Sequence, residues 1–157
     1  MEPDGVAAAA EMEDLVGHCL ELAERLLNKH GGEFREFAGC VDAAGVTSTG
    51  LDVGEGLTHE ERVAHFAGAV RRKAERGEVR AAAVCVRVTM CQTDPDTGEE
   101  SDETDAVYVS CEHRDSSEAF VDLTTFERTF GLRRRWKLGQ RYRNPVPRSI
   151  FDDPEGS

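Results

Sequence analysis

Apolar residues return along the chain with two different periods, and the change of period divides it into helices and strands. From Glu11 to about His30 the apolar positions are Leu15, Cys19, Leu22 and Leu26, flanked by Val16, Ala23 and Leu27, which is the stripe of one amphipathic helix. Gly31 and Gly32 follow it, and glycine enters the left-handed conformation that closes a helix at little cost. A second helix is predicted after Thr58. Thr58 and Glu61 have the spacing of a capping box, in which hydroxyl and carboxylate each satisfy an orphan backbone donor. Val63, Phe66, Ala67, Val70 and Ala74 make its apolar stripe, and Gly77 ends it.

Elsewhere the period shortens to two. Phe34 to Val41 is strand-like with imperfect alternation, Asp42 to Gly45 supplies a turn, and Val46 to Val53 offers a short second strand. Val79 to Cys91 is the longest apolar run, with Val84, Val86 and Val88 on one face and Ala81, Ala83 and Cys85 on the other, so both faces are expected to be covered. Ala106 to Glu112 and Glu118 to Thr125 alternate more cleanly. They offer Val107, Val109 and Cys111 on one strand and Ala119, Val121 and Leu123 on the next, as hairpin partners. The order α-β-β-α-β-β-β predicts the α+β class, with a single antiparallel sheet of about five strands and two main helices, a pattern that resembles profilin-like and roadblock-like domains. Residues 1–10 read as a disordered lead-in, 11–142 as one domain ending in a basic segment (128–142), and 143–157, with Pro145, Pro147 and Pro154, as a loose tail.

With 157 residues the chain has the length of one domain able to bury on the order of 70% of its unfolded surface. Charge changes the picture more than length does. Residues 128–148 hold eight bases and no acid, which leaves eleven bases against thirty-one acids, a net of −20, in the remainder of a chain whose total is −12. A body so negative repels a phosphate backbone, and only the basic segment escapes that objection. The first residues lack the basic start and long apolar run of a secretory signal, and no stretch approaches ~20 apolar residues, so a cytoplasmic protein with no membrane partner is expected. Five cysteines, an odd number spread over helix and strands, read as buried reduced thiols instead of a disulfide framework.

Taken together, Gly17-His18, Gly32-Glu33-Phe34-Arg35-Glu36-Phe37-Ala38, Gly77-Glu78-Val79-Arg80-Ala81-Ala82-Ala83-Val84, and Asp105-Ala106-Val107 with Glu112-His113-Arg114-Asp115 resemble a family of small uncharacterised bacterial α+β proteins. The resemblance covers roughly residues 14–126. It implies a bacterial α+β domain and brings no activity or catalytic residue with it. The Arg-rich segment after Phe130 departs from that family's pattern.

Few groupings suggest chemistry. Cys85, Cys91, Cys111 and His113 have the donor types zinc takes, and Cys111 and His113 are the weak metal candidates among them. If Val84, Val86 and Val88 share a face with Val107, Val109 and Cys111, then Cys85 and Cys91 point away from Cys111 and His113 and the set does not converge. His59 and His65 flank two glutamates, but six residues place them about 240° apart on a helix, not on one face. Asp94, Asp96 and Asp105 match three positions of a calcium loop, yet Gly98 stands where a ligand belongs and Glu99 where the turn needs glycine. A solvated hairpin connection with a Pro95-Asp96-Thr97-Gly98 turn is expected there. No serine lies in a nucleophile elbow and no glycine-rich phosphate loop opens a helix, so no cofactor is implied and enzymatic activity is left open and disfavoured.

The basic segment is the candidate binding element. Arg133, Arg134, Arg135, Trp136, Lys137, Arg141, Tyr142 and Arg143 interleave cations with aromatic rings, which suits single-stranded nucleic acid through phosphate contact and base stacking. They suit equally a last strand whose arginine stems cover apolar surface and whose heads meet acidic groups of the body. Three functions stand side by side: a non-catalytic protein-interaction or regulatory domain, possible in an immunity-like setting; a nucleic-acid binder through residues 128–148; and, least favoured, a metal-dependent enzyme.

Overall fold

A computed structural model describes residues 3–50, 58–91, 93–100, 103–129, 135–148, 150 and 151. Helix α1 (Pro3–Lys29) is followed by strands β1 (Phe37–Asp42) and β2 (Thr47–Gly50), helix α2 (His59–Glu75), and strands β3 (Val79–Met90), β4 (Thr104–His113), β5 (Ala119–Arg128) and β6 (Trp136–Val146). All strand pairs are antiparallel and form one sheet in the order β2-β1-β3-β4-β5-β6. The α+β class and the single sheet are as the alternation predicts; the sixth strand is made by the basic segment.

The two helices cover opposite faces. Met12, Leu15, Val16, Cys19, Ala23 and Leu27 of α1 pack on Phe37, Val41, Ala81, Ala83, Cys85, Val107, Val109, Cys111 and Phe126, all of them buried. Phe66 and Val70 of α2 pack on Ala38 and Ala82 of the other face, joined by Ile150. Burying the Leu, Val, Ile, Met and Phe side chains among these stabilises the fold by about 1.5–3 kcal/mol each. Small residues let α1 approach the sheet. A Cβ on Gly39 would meet Cys19 Sγ at 3.0 Å and Leu15 Cδ1 at 3.2 Å, so a side chain here would push α1 or its side chains outward by a few tenths of an ångström. Thr58 and Glu61 form the reciprocal capping box of α2, as their spacing predicts.

Helix α1 starts earlier than the apolar stripe indicates. Residues expected to be a frayed lead-in are helical from Pro3, and Ala8 is buried. Farther along, the Glu11 carboxylate takes the His113 imidazole at 2.8 Å and also meets the Arg80 guanidinium, tying the start of α1 to the ends of β3 and β4. The expected loose tail is likewise held over its described part. β6 runs to Val146, and buried Glu112 accepts the backbone N–H groups of Ile150 at 2.9 Å and Phe151 at 3.4 Å. Among the described residues, no helix is long and apolar enough to cross a membrane.

The register overturns the expected facing of β3 and β4. Ala83 stands across from Cys111, Ala81 from His113 and Cys85 from Val109, so the alanine face of β3, not its valine face, shares a side with Val107, Val109 and Cys111. β5 turns the same way: Phe120 is paired with Cys111 and Asp122 with Val109, which puts Phe120, Asp122, Thr124 and Phe126 on the α1 side. Apolarity alone assigned the valines to one core. The helix chose the small residues instead, because alanines let its backbone lie closer.

Candidate interaction surface

The proposed binding element is a strand of the sheet over its described length. β6 pairs with β5 from Ala119↔Val146 to Arg128↔Trp136, with an irregularity between Thr124 and Phe126. As an edge strand it has backbone groups open to unwanted pairing. Helix α1 covers part of that edge: Asn28 Oδ1 accepts from Trp136 N–H at 2.8 Å, Asn28 Nδ2 donates to the Trp136 carbonyl at 3.1 Å, and Glu24 accepts from Leu138 N–H at 3.3 Å. Pro145 has no N–H to offer.

Trp136 is half-buried against the main core, edge-on to Phe126 with ring centroids 5.8 Å apart. Its ring lies so close to Gly32 that a Cβ there would collide with it, and Gly32 also needs its positive φ of 98°. Base stacking would have to pull this ring from its seat.

Arg141 and Arg143 are neutralised from within. Asp122 is fully buried, and it accepts from Arg143 Nε at 2.7 Å, Arg143 Nη2 at 2.9 Å and Arg141 Nε at 2.6 Å. Glu13 of α1 pairs with both guanidinium groups, at 3.3 Å from Arg141. The Arg143 guanidinium carbon lies 3.7 Å from the Phe120 ring centroid, a cation–π contact. Burial works against the charge on Asp122, but the bonds from Arg143 and Arg141 prevail and hold its carboxyl below the usual range. The Arg143 hydrogen bond does the same for Glu13, and the bond to Asp122 raises Arg143 in turn. Nothing in the alternation reveals this network. Asp122 occupies a polar-looking position between Val121 and Leu123, and its role appears only once the register sets it opposite Arg143.

The remaining candidates lie elsewhere. Arg133 and Arg134 fall outside the described residues. Tyr142 is on the face away from α1, 38% exposed, with its hydroxyl donating to Gln140 Oε1 at 2.6 Å. Arg148 Nη2 reaches the Arg114 carbonyl at 3.5 Å. Arg128, Arg135 and Lys137 are exposed, and no ion pair holds any of them among the described residues. Glu127 stands across from Lys137 in the ladder, also exposed.

Cys111 and His113 do share a face with Cys85, contrary to the expected parity, but their chemistry is otherwise committed. Cys111 is fully buried, and burial pushes its thiol well up. Burial likewise raises Cys85 and brings Cys19 up to about 12. His113 is 2% exposed; its Nε2 bonds Glu11, and its Nδ1 accepts the Asp115 N–H at 3.0 Å. Cys91 is exposed beyond the end of β3. No three His, Cys, Asp or Glu side chains among the described residues stand where they could hold a metal ion. The acidic stretch is a hairpin connection as expected: Gly98 N–H donates to the Asp94 carbonyl, Asp96 N–H to Asp94 Oδ1, both at 2.8 Å, and Gly98 has a φ of 72°.

A cleft of about 720 Å³ opens beside the end of α1, lined by Leu26, His30, Phe34, Glu36 and Arg87 among others. Two of its charged walls are already engaged. Arg87 donates to the Gly32 carbonyl at 3.0 Å and pairs with Asp105 at 3.1 Å, and buried Glu36 holds Arg62 at 2.5 Å.

Fold and surface thus define a single-sheet α+β domain with helices on both faces and a charged sheet end. No family model matches the chain, nor does any curated protein or solved structure compared with it.

Proposed function

We propose that this chain is a non-catalytic protein-interaction domain of a cytoplasmic bacterial protein, with a regulatory or immunity-like role, and that Arg128, Arg135 and Lys137 at the connection end of the β5–β6 hairpin meet an acidic surface of another protein. The observation that supports it most is the division of the basic segment. Arg141 and Arg143 are spent on Asp122 and Glu13 and Trp136 is packed on Phe126, which leaves exposed cations without their neighbouring aromatic ring. Cations alone complement carboxylates. Single-stranded nucleic acid also requires faces on which bases stack.

The second reading, nucleic-acid binding, keeps one favourable observation, the exposed ring of Tyr142. Titration of the full chain with poly-glutamate and, separately, with an oligothymidylate separates the two, following fluorescence of the sole tryptophan, Trp136. The protein-interaction reading expects salt-sensitive binding of poly-glutamate that is lost in the triple variant Arg128→Glu, Arg135→Glu, Lys137→Glu. Oligothymidylate binding with strong Trp136 quenching, and no response to poly-glutamate, would replace it with the nucleic-acid reading.

A further inference from the structure

The two oppositely charged stretches of the chain leave the sheet at the same end. The β3–β4 ladder finishes at Met90↔Thr104 and the β5–β6 ladder at Arg128↔Trp136. β4 and β5 are neighbours, with Ala106 across from Thr125, so Thr104 and Arg128 run out together. Strands lie about 4.8 Å apart, which puts the midlines of the two hairpins about 10 Å from one another. The first hairpin carries Asp94, Asp96, Glu99, Glu100 and Glu103, and the second Arg128, Arg135 and Lys137, and every one of these side chains is exposed. The ion pairs of the described residues include none between the two groups.

We propose that this end of the sheet is a self-complementary docking surface whose partner is a second copy of the chain, the acidic hairpin of each copy lying on the basic hairpin end of the other. The inference rests on the reading of Arg128, Arg135 and Lys137 as a protein-binding surface and names the acidic surface they meet. Two opposite charges side by side form a pattern that a two-fold axis matches to itself. With the axis passing between the hairpins along the sheet normal, rotation sets plus on minus at both places, as an isologous interface requires. Joined this way, the two sheets meet end to end.

The net charge of −12 opposes any pairing of copies, and distance decides which effect prevails. A chain of this length has a radius of gyration of about 15 Å and, treated as a sphere, a surface about 19 Å from its centre, so docked centres stand about 40 Å apart. That is several Debye lengths at physiological salt, where the length is about 8 Å, and the overall repulsion is mostly screened. Charges in contact across the interface are closer than one Debye length and keep their attraction. Exposed pairs are individually weak, so the association is concentration-dependent and readily reversed.

Sedimentation of the full chain over a concentration series tests this. At about 0.1 M salt the mean mass should climb from 17.3 kDa towards twice that value, and at about 1 M salt, where the Debye length is about 3 Å, it should return to the monomer. Two variants divide the contact: Arg128→Glu, Arg135→Glu, Lys137→Glu on one side, and Asp96→Lys, Glu99→Lys, Glu100→Lys on the other. Each alone should associate about tenfold more weakly or worse, since like charges then face one another. Mixed one to one, they should form a heterodimer. The positions are exposed, and circular dichroism confirms that each variant is folded. A monomer at every concentration and salt, self-association that survives in both variants, or a mixture that stays monomeric overturns the inference. If the wild type stays monomeric while poly-glutamate still binds and the basic-side variant loses it, only the second copy is rejected. Loss of poly-glutamate binding in the wild type would reject the broader reading.

Discussion

Arg143 and Lys137 belong to the same strand and carry the same sign of charge, yet the fold uses them in opposite ways. Around Arg143 the sheet turns a fully buried carboxylate, Asp122, towards the strand, and helix α1 adds Glu13, so the guanidinium becomes part of the interior's electrostatics. Around Lys137 the cross-strand neighbour is the exposed Glu127, and no described side chain closes over either. Composition treats the segment as one cationic arm. Register divides it into a half that holds the sheet together and a half available to a partner.

The sharpest way to break that contrast is to remove the acceptor on the buried side. Asp122→Ala leaves Arg141 and Arg143 with Glu13 and water, to which both are more than a third exposed, so the loss is smaller than for a fully buried pair and is on the order of 1–2 kcal/mol. The urea midpoint should fall accordingly, with an unchanged slope. Replacing the whole set with apolar residues of similar size, Asp122→Leu with Arg141→Met and Arg143→Met, should recover much of the loss, because no uncompensated charge remains. A midpoint unmoved by Asp122→Ala would mean that the network contributes nothing and that both halves of β6 are alike.

A smaller effect follows from pH, and it acts on that half of β6 and on the Glu11 contacts of α1, not on the exposed half. Asp122, Glu13 and Glu11 are all held below their ordinary values of 3.8 and 4.5, so in acid the unfolded chain takes up protons before the folded one. Their contribution to stability is complete above those ordinary values and is lost as pH falls through the lowered folded values. Unfolding midpoints measured from pH 7 down to pH 3 should therefore drop below about pH 5. The drop should be shallower in Asp122→Ala, whose network can no longer be titrated away, and equal slopes in the two proteins would place the acid sensitivity elsewhere.

How much of this the chain announced in advance depends on whether a feature is local. The capping box of α2 and the turn at Gly98 are settled within a few residues, and both can be read from spacing. The facing of β3 on β4 is not local. The connection between Met90 and Thr104 is too long to fix parity, so the pairing of Cys85 with Val109 emerges only when α1 selects the alanine side. Asp122 is hidden for the same reason, since its partners Arg141 and Arg143 lie on another strand, and the Glu13 that shares them lies on a helix more than a hundred positions from it. Trp136 shows the limit from the other side: arginines around a tryptophan match a nucleic-acid pattern, but its seat against Gly32 and Phe126 depends on the fold.

The smallest expected effect belongs to the exposed half, and its smallness is what makes it informative. Arg135→Ala and Lys137→Ala remove side chains that touch no described ion partner, and surface changes away from caps, cores and networks shift stability by within about 0.5 kcal/mol. Backbone pairing of β6 with β5, and the capture of the Trp136 N–H by Asn28, do not involve these side chains. The variant should therefore unfold at the wild-type urea midpoint while binding poly-glutamate more weakly. Had these cations been structural like Arg143, both measurements would fall together, and a loss of stability near that of Asp122→Ala would return the whole segment to architecture.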